Sequence, residues 1–278
     1  MCIDYAKTGE DDTEESNRTM LIGRDRWTKN TFSHLVTCKG CGDKRIIGKT
    51  TKSIDATGNT RMILKGDGEP ALVAVQDAIK ANRPHDTVLE NPPAHDPQSN
   101  GEAERAVQEV KAQMRAIKFG LESRIKANIG GNPLVFEWII PHASDCISRF
   151  LVGKDGRTPH SRICNKHLSG KTFEFGEQVL AKPKRGKRET RKQSMKSKWH
   201  DGTWAGFGDR SHEHIVVLTS GGPAIKVRTV RPKAESERWR AEEITAIVAT
   251  PDAQNPKDPQ QECPRAERDT RGPGSPGA

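Results

Sequence analysis

Met62-Ile63-Leu64-Lys65-Gly66-Asp67-Gly68-Glu69-Pro70-Ala71-Leu72 is a short apolar run that stops at a Gly-Asp-Gly turn and restarts on proline. Apolar β-formers bounded by glycine predict a strand, and Pro70, whose ring presets φ and lacks an N–H, predicts the first turn of a helix carrying Leu72, Val73, Val75, Ala78 and Ile79. Working outward, Thr87-Val88-Leu89 is the next strand, stopped by Asn91-Pro92-Pro93. Upstream, Cys2-Ile3-Asp4-Tyr5-Ala6, Met20-Leu21-Ile22 and residues 32–36 predict a three-strand antiparallel meander, its last two strands joined by the polar residues 24–30. Residues 43–55 predict a poor helix, with Ile46, Ile47 and Ile54 as its only apolar stripe and Thr50, Thr51 and Ser53 against it. Strands followed by alternating helix and strand mean a mixed α/β sheet.

Beyond the loop at residues 97–101, Ala103, Ala106, Val107, Val110, Met114, Ile117, Leu121 and Ile125 recur at three- and four-residue spacing and predict one long helix. A second helix is expected over residues 134–151, kinked or displaced by Pro141. Residues 153–168 form an irregular Gly/Pro-rich bridge, so the first domain is expected to span 1–168. Strands follow at residues 175–180, 203–207, 215–218 and 224–230, which fit a small β-barrel over 173–240. Residues 182–198 hold nine Lys/Arg against Glu189 alone, too charged to pack, and residues 250–278 have a composition that predicts a disordered tail.

Of 278 residues, 32% are hydrophobic and 30% charged, and Lys+Arg exceed Asp+Glu by 46 to 37, so a polyanion is the expected partner. No apolar stretch approaches a membrane span and residues 1–19 do not resemble a signal peptide, so a soluble protein without a membrane partner is expected. Six scattered cysteines then imply reduced thiols. Cys38 and Cys41, with His34 nearby, have the spacing of half a zinc site but no second half, and a turn is the plainer reading. Gly48-Lys49-Thr50 and Gly170-Lys171-Thr172 lack the first glycine of a phosphate-binding loop, so no nucleotide cofactor is expected. Ser211, His212 and His214 sit in a hairpin turn with no positioned acid, which disfavours a hydrolase site.

Three carboxylates stand out: Asp4 inside a strand, Asp67 at a strand's end and Glu104 on the first turn of the long helix. Singly, each has an ordinary role as edge residue, turn residue or helix-dipole partner. Together, a strand centre, a strand end and a helix start can converge on one edge of a mixed sheet. Carboxylates are the ligands hard divalent ions prefer, and two such ions about 3.5–4 Å apart can neutralise the attacking and leaving oxygens of a phosphodiester at once.

With Ile3-Asp4-Tyr5, Arg24-Asp25-Arg26-Trp27-Thr28-Lys29, residues 65–72 and Asp96-Pro97-Gln98-Ser99-Asn100-Gly101-Glu102-Ala103-Glu104-Arg105-Ala106-Val107, the chain resembles the integrase catalytic core of retrotransposon polyproteins, copia-type or a near relative. The resemblance extends more weakly to about Trp239. It implies a ribonuclease-H-like core followed by a small SH3-like β-barrel, and an activity that trims the 3′ ends of element DNA and joins them to target DNA. Asp4, Asp67 and Glu104 then take the catalytic and metal-ligand places, for two Mg²⁺ or Mn²⁺ ions. Glu102 is the competing third acid, but the Asn-Gly-x-x-Glu order points to Glu104, and the two face different sides of a helix. Gln98 and Asn100 match the family's active-site loop and Lys111 its DNA-gripping basic residue. Lys182, Lys184, Arg185, Lys187, Arg188, Arg191 and Lys192 are expected to bind phosphates without reading sequence. The implied partners are double-stranded DNA and further copies of the chain, and the implied location is the nucleus, otherwise the cytoplasm. The family's zinc-binding domain and the start of the first strand would precede Asp4. Their absence leaves a catalytically inactive nucleic-acid-binding remnant as the alternative, and a plain ribonuclease-H nuclease fits less well.

Overall fold

The computed structural model describes residues 1–9, 18–91, 100–130, 133–168, 170–184, 197–208 and 211–256. Its first sheet is built from β1 (Cys2–Lys7), β2 (Thr19–Arg24), β3 (Thr31–Val36), β4 (Arg61–Lys65) and β5 (Asp86–Glu90), in the order β3-β2-β1-β4-β5. β1, β2 and β3 form the antiparallel meander, and β1, β4 and β5 run parallel, so β2 alone opposes the rest. This is the mixed α/β sheet flanked by helices that the sequence predicted.

Period-two alternation divides the core. Ile3, Leu21, Phe32, Met62 and Leu64 pack with α1 (Lys44–Asp55) and α2 (Pro70–Asn82) on one face. Ala6, Met20 and Ile22 pack with α3 (Gly101–Ile125) and α4 (Pro133–Phe150) on the other. α1 is better made than its propensity implied. The Asp43 carboxylate accepts from the Arg45 and Ile46 N–H groups as N-cap, and Thr50 and Thr51 are buried, with Thr51 bonding back to the Ile47 carbonyl. α4 runs through Pro141 instead of starting after it. Burial of Val135, Trp138, Ile139, Ile140, Ala143 and Ile147 outweighs the roughly 3 kcal/mol an internal proline costs.

The bridge is not wholly irregular: α5 (Pro159–Cys164) starts on proline with Thr158 as cap. The second sheet has the order β10-β6-β7-β8-β9, from β6 (Gln178–Lys182), β7 (His200–Phe207), β8 (His214–Leu218), β9 (Ala224–Val227) and β10 (Thr229–Pro232). The single strand expected at 224–230 is in fact two, broken at Arg228. β9 pairs with β8 and β10 with β6, at opposite edges, so one connecting residue forces the sheet to curl until its edges approach.

Val179, Trp204, Val216 and Val227 fill the interior of this curled sheet, whereas Ala205, Val217 and Ala224 face outward into the cluster formed by α3 and α4. The two sheets thus share a hydrophobic core. Gly206, at φ +132, makes the junction close: a β-carbon there would lie 3.0 Å from Nδ1 of the buried His142 of α4.

The chain after β10 forms a 3₁₀ turn at Glu235–Glu237 and α6 (Ala241–Thr245), then straps back over the core. Trp138 donates to the Ala249 carbonyl, Ala224 N–H to the Gln254 carbonyl, and Asp252 pairs with Lys49 and Arg45 of α1. The tail expected from residue 250 therefore begins packed through Gln254, because buried Ala249 and the Asp252 ion pairs fix a segment whose composition alone would not fold. Residues 257–278 lie outside the described residues. No helix among the described residues is long and apolar enough to cross a membrane.

Candidate active site

Asp4 lies in the centre of β1. Its neighbours Ile3 and Tyr5 face α1 and α2, so the alternation turns Asp4, like Ala6, toward α3. Cys2 is the registered partner of Lys65 in the parallel pair β1–β4, and two residues further along each chain stand Asp4 and Asp67. Two acids 63 positions apart in sequence thus sit side by side past the end of β4. Gly66 lets the chain pass close against α2, since a β-carbon there would lie 3.0 Å from Leu72 and 3.1 Å from Gln76. Asp67 Oδ1 accepts from the Glu69 N–H at 2.9 Å, closing the turn into α2.

Glu104 is exposed on the first turn of α3, the helix packed over β1 and β2. Its charge reaches Asp4. Burial first, then Asp67, Glu104 and Glu69 raise the Asp4 carboxyl from 3.8 to about 6, against a hydrogen bond from the Tyr5 backbone that favours the charged form. Among the described residues no basic side chain forms an ion pair with Asp4, Asp67 or Glu104. Glu69, a fourth acid the sequence reading passed over although it belongs to the same turn, is held by Lys39 at 2.8 Å.

Glu102 has a different environment. Its carboxylate takes Lys29 Nζ at 2.7 Å and approaches Arg24 Nε at 3.5 Å, so the competing third acid is occupied by the β2–β3 hairpin. The donor set Asp4, Asp67 and Glu104 fits a hard divalent cation in kind, since it is all carboxylate and a cation would relieve the repulsion on Asp4. Among the described residues, however, no three acids, histidines or cysteines close on one point at coordinating distance. The three expected ligands share one edge of the sheet and stop short of a coordinating cluster.

Asn100 is the N-cap residue of α3 but makes no side-chain capping bond, and Lys111 is half-buried on the same helix. Gln98 lies outside the described residues, as do Arg185, Lys187, Arg188, Arg191 and Lys192. Lys182 and Lys184 end β6 and the segment after it. Lys184 is ion-paired: Glu213, from the segment leading into β8, takes it at 2.7 Å and Arg228 at 3.2 Å. Lys182 and Arg231 instead lie over the Trp199 ring, at 5.9 and 4.7 Å from its centroid. Trp199 and Arg231 carried no separate sequence signal, because their pairing joins residues 32 positions apart. Cys38 and Cys41 are free and exposed in the turn after β3, and His34 Nε2 lies 3.1 Å from Ser53 Oγ. His214, expected in a turn, is a buried strand residue accepting from Trp204 Nε1.

No family model matches the chain, and no curated protein does. Solved structures do match. The catalytic core domain of BIV integrase is 14% identical with a TM-score of 0.41, over 59% of this chain and 93% of that one. The HTLV-2 integrase catalytic core domain in complex with magnesium, in its trimeric form, is 12% identical with a TM-score of 0.42, over 58% and 94%. The simian T-cell lymphotropic virus intasome in complex with PP2A regulatory subunit B56 gamma gives 10%, a TM-score of 0.44, and 84% and 78%. All three scores lie below 0.5, and the chemistry below rests on this chain's own residues.

Proposed function

We propose that the chain is an integrase-type polynucleotidyl transferase of a retroelement, acting on the 3′ ends of double-stranded DNA. The observation that supports this reading is that a strand centre, a strand end and a helix start bring Asp4, Asp67 and Glu104 to one sheet edge, near enough that Asp67 and Glu104 add to the burial that raises Asp4. The motif residues around each acid, which resemble an integrase core, support it independently.

In this reading Asp4, Asp67 and Glu104 hold two Mg²⁺ or Mn²⁺ ions, which supply charge neutralisation at the phosphodiester. Trimming is hydrolysis of one phosphodiester, and joining is attack of the freed 3′-hydroxyl on a second, so each step forms one P–O bond and breaks one. Asn100 and Lys111 steady the DNA beside the acids, and Gln98 is assigned to DNA contact from the resemblance alone. Lys182, with the basic residues 185–192, grips phosphates further out without reading sequence. Duplex DNA and further copies of the chain are the partners this activity needs.

The test is Mn²⁺-dependent nicking, or resolution of a branched DNA. Asp67→Asn should abolish it while changing duplex affinity by less than about threefold, since Asp67 is an acid and contributes no attraction to phosphate. No Mn²⁺-dependent cleavage by wild type, or cleavage that Asp67→Asn leaves unchanged and so does not come from this site, would leave a catalytically inactive nucleic-acid-binding remnant, the second reading, favoured by the acids' failure to close on one point among the described residues.

A further inference from the structure

The first turn of α3 is poorly secured by its own sequence. Its N-cap Asn100 makes no side-chain capping bond, and its first residue is Gly101, a weak helix former. What ties this turn down is Glu102. Its carboxylate binds Lys29 Nζ at 2.7 Å and lies 3.5 Å from Nε of Arg24, a strand residue only 4% exposed. The same guanidinium reaches Glu109, two turns further along α3, through Nη2 at 2.8 Å. Arg24 therefore spans the first and third turns of the helix from β2, and its Nε and Nη1 make no hydrogen bond.

We infer that Glu102, held by Lys29 and flanked by the Arg24 guanidinium, is a positioning residue that sets the azimuth of the first turn of α3 and so turns Glu104 toward Asp4. Glu102 and Glu104 lie two residues apart and about 200° around the helix, so pinning one on the hairpin points the other away from it. The inference rests on the proposed reading of Asp4, Asp67 and Glu104 as a divalent-ion site. It gives the second acid of the Glu-Ala-Glu run a task of its own, and it assigns a purpose to a buried arginine that otherwise carries desolvation cost with incomplete pairing. Lys29 serves it from a left-handed backbone position, φ 64, at the tip of the hairpin.

The experiment is a Mn²⁺ titration of the full chain followed by thermal melting, comparing wild type, Asp67→Asn, Glu102→Ala, Glu102→Gln and Lys29→Asn, the last chosen because asparagine tolerates the left-handed backbone. Wild type should melt higher as Mn²⁺ rises and Asp67→Asn should not respond. Glu102→Ala should need about tenfold more Mn²⁺ for half the effect, with Lys29→Asn in the same direction. Glu102→Gln, which can still accept from Lys29, should recover most of the loss, a recovery that a general loss of helix stability would not produce. Glu102→Ala and Lys29→Asn titrating at the wild-type concentration, with Asp67→Asn flat, overturn this inference and leave the acid site standing. A wild type unmoved by Mn²⁺ overturns the site and the inference together.

Discussion

The acid edge of the first sheet and the basic rim of the second treat charge in opposite ways. Asp4, Asp67 and Glu104 share one sheet edge with no ion-paired base among the described residues, and burial first, then the neighbouring acids, pushes Asp4 up to about 6. On the second sheet Glu213 is clasped by Lys184 and Arg228, Asp201 pairs with Lys233, and Glu177 lies 3.7 Å from Arg238. Paired surface charges need no external partner and contribute little. Like charges held together cost stability, and a fold that keeps them marks where a ligand of opposite sign belongs.

This comparison can be broken or sharpened by experiment. The largest effect is expected at the acid edge: Glu104→Gln should lose about a thousandfold or more of Mn²⁺-dependent DNA cleavage, whereas Glu102→Gln should stay within about tenfold. Equal losses in the two would show that the structure does not separate the acids.

Next comes the junction of the two sheets. Trp204 is 1% exposed, and Trp204→Ala should cost about 3–5 kcal/mol in urea denaturation. Because Ala205, Val217 and Ala224 share a core with α3 and α4, unfolding should remain a single transition seen by both sheets. Two separated transitions would make the second sheet independent.

A smaller effect follows from Asp4. Between pH 3.8 and about 6 the unfolded carboxyl has lost its proton while the folded one keeps it, so raising pH through this window favours unfolding. The contribution is fully present below 3.8 and gone above about 6. Stability at pH 4 should exceed that at pH 7 by on the order of 1–2 kcal/mol more in wild type than in Asp4→Asn, allowing for partial exposure. Parallel pH profiles would remove the repulsion from the account.

The smallest effect belongs to the basic rim. Glu213→Gln frees Lys184 and Arg228, so duplex affinity should rise about twofold with a slightly steeper salt dependence. Unchanged affinity would show that this pair lies outside the DNA path.

Much of this was legible locally. The alternation of Cys2-Ile3-Asp4-Tyr5-Ala6, the proline start of α2 and the apolar stripe of α3 each depend on neighbours within a turn or a pleat. The misreadings arose where distant residues decided. Pro141 left the start of its helix open, which the burial of its neighbours decides. Residues 224–230 looked like one strand because local pattern cannot show that β9 and β10 seek different partners. The pairing of Lys184 was not legible because Glu213 lies 29 positions away.

Sequence by itself determined the elements, the net positive charge and the candidate acids, since periodicity, turn chemistry and composition act over a few residues. Only the tertiary structure decided which acids meet, that Glu102 belongs to Lys29 and Arg24, that the two sheets share one core, and that the chain is strapped down past residue 250. Those outcomes depend on register and packing between segments far apart in the chain, where a shift of one residue would turn Asp4 to the other face of the sheet.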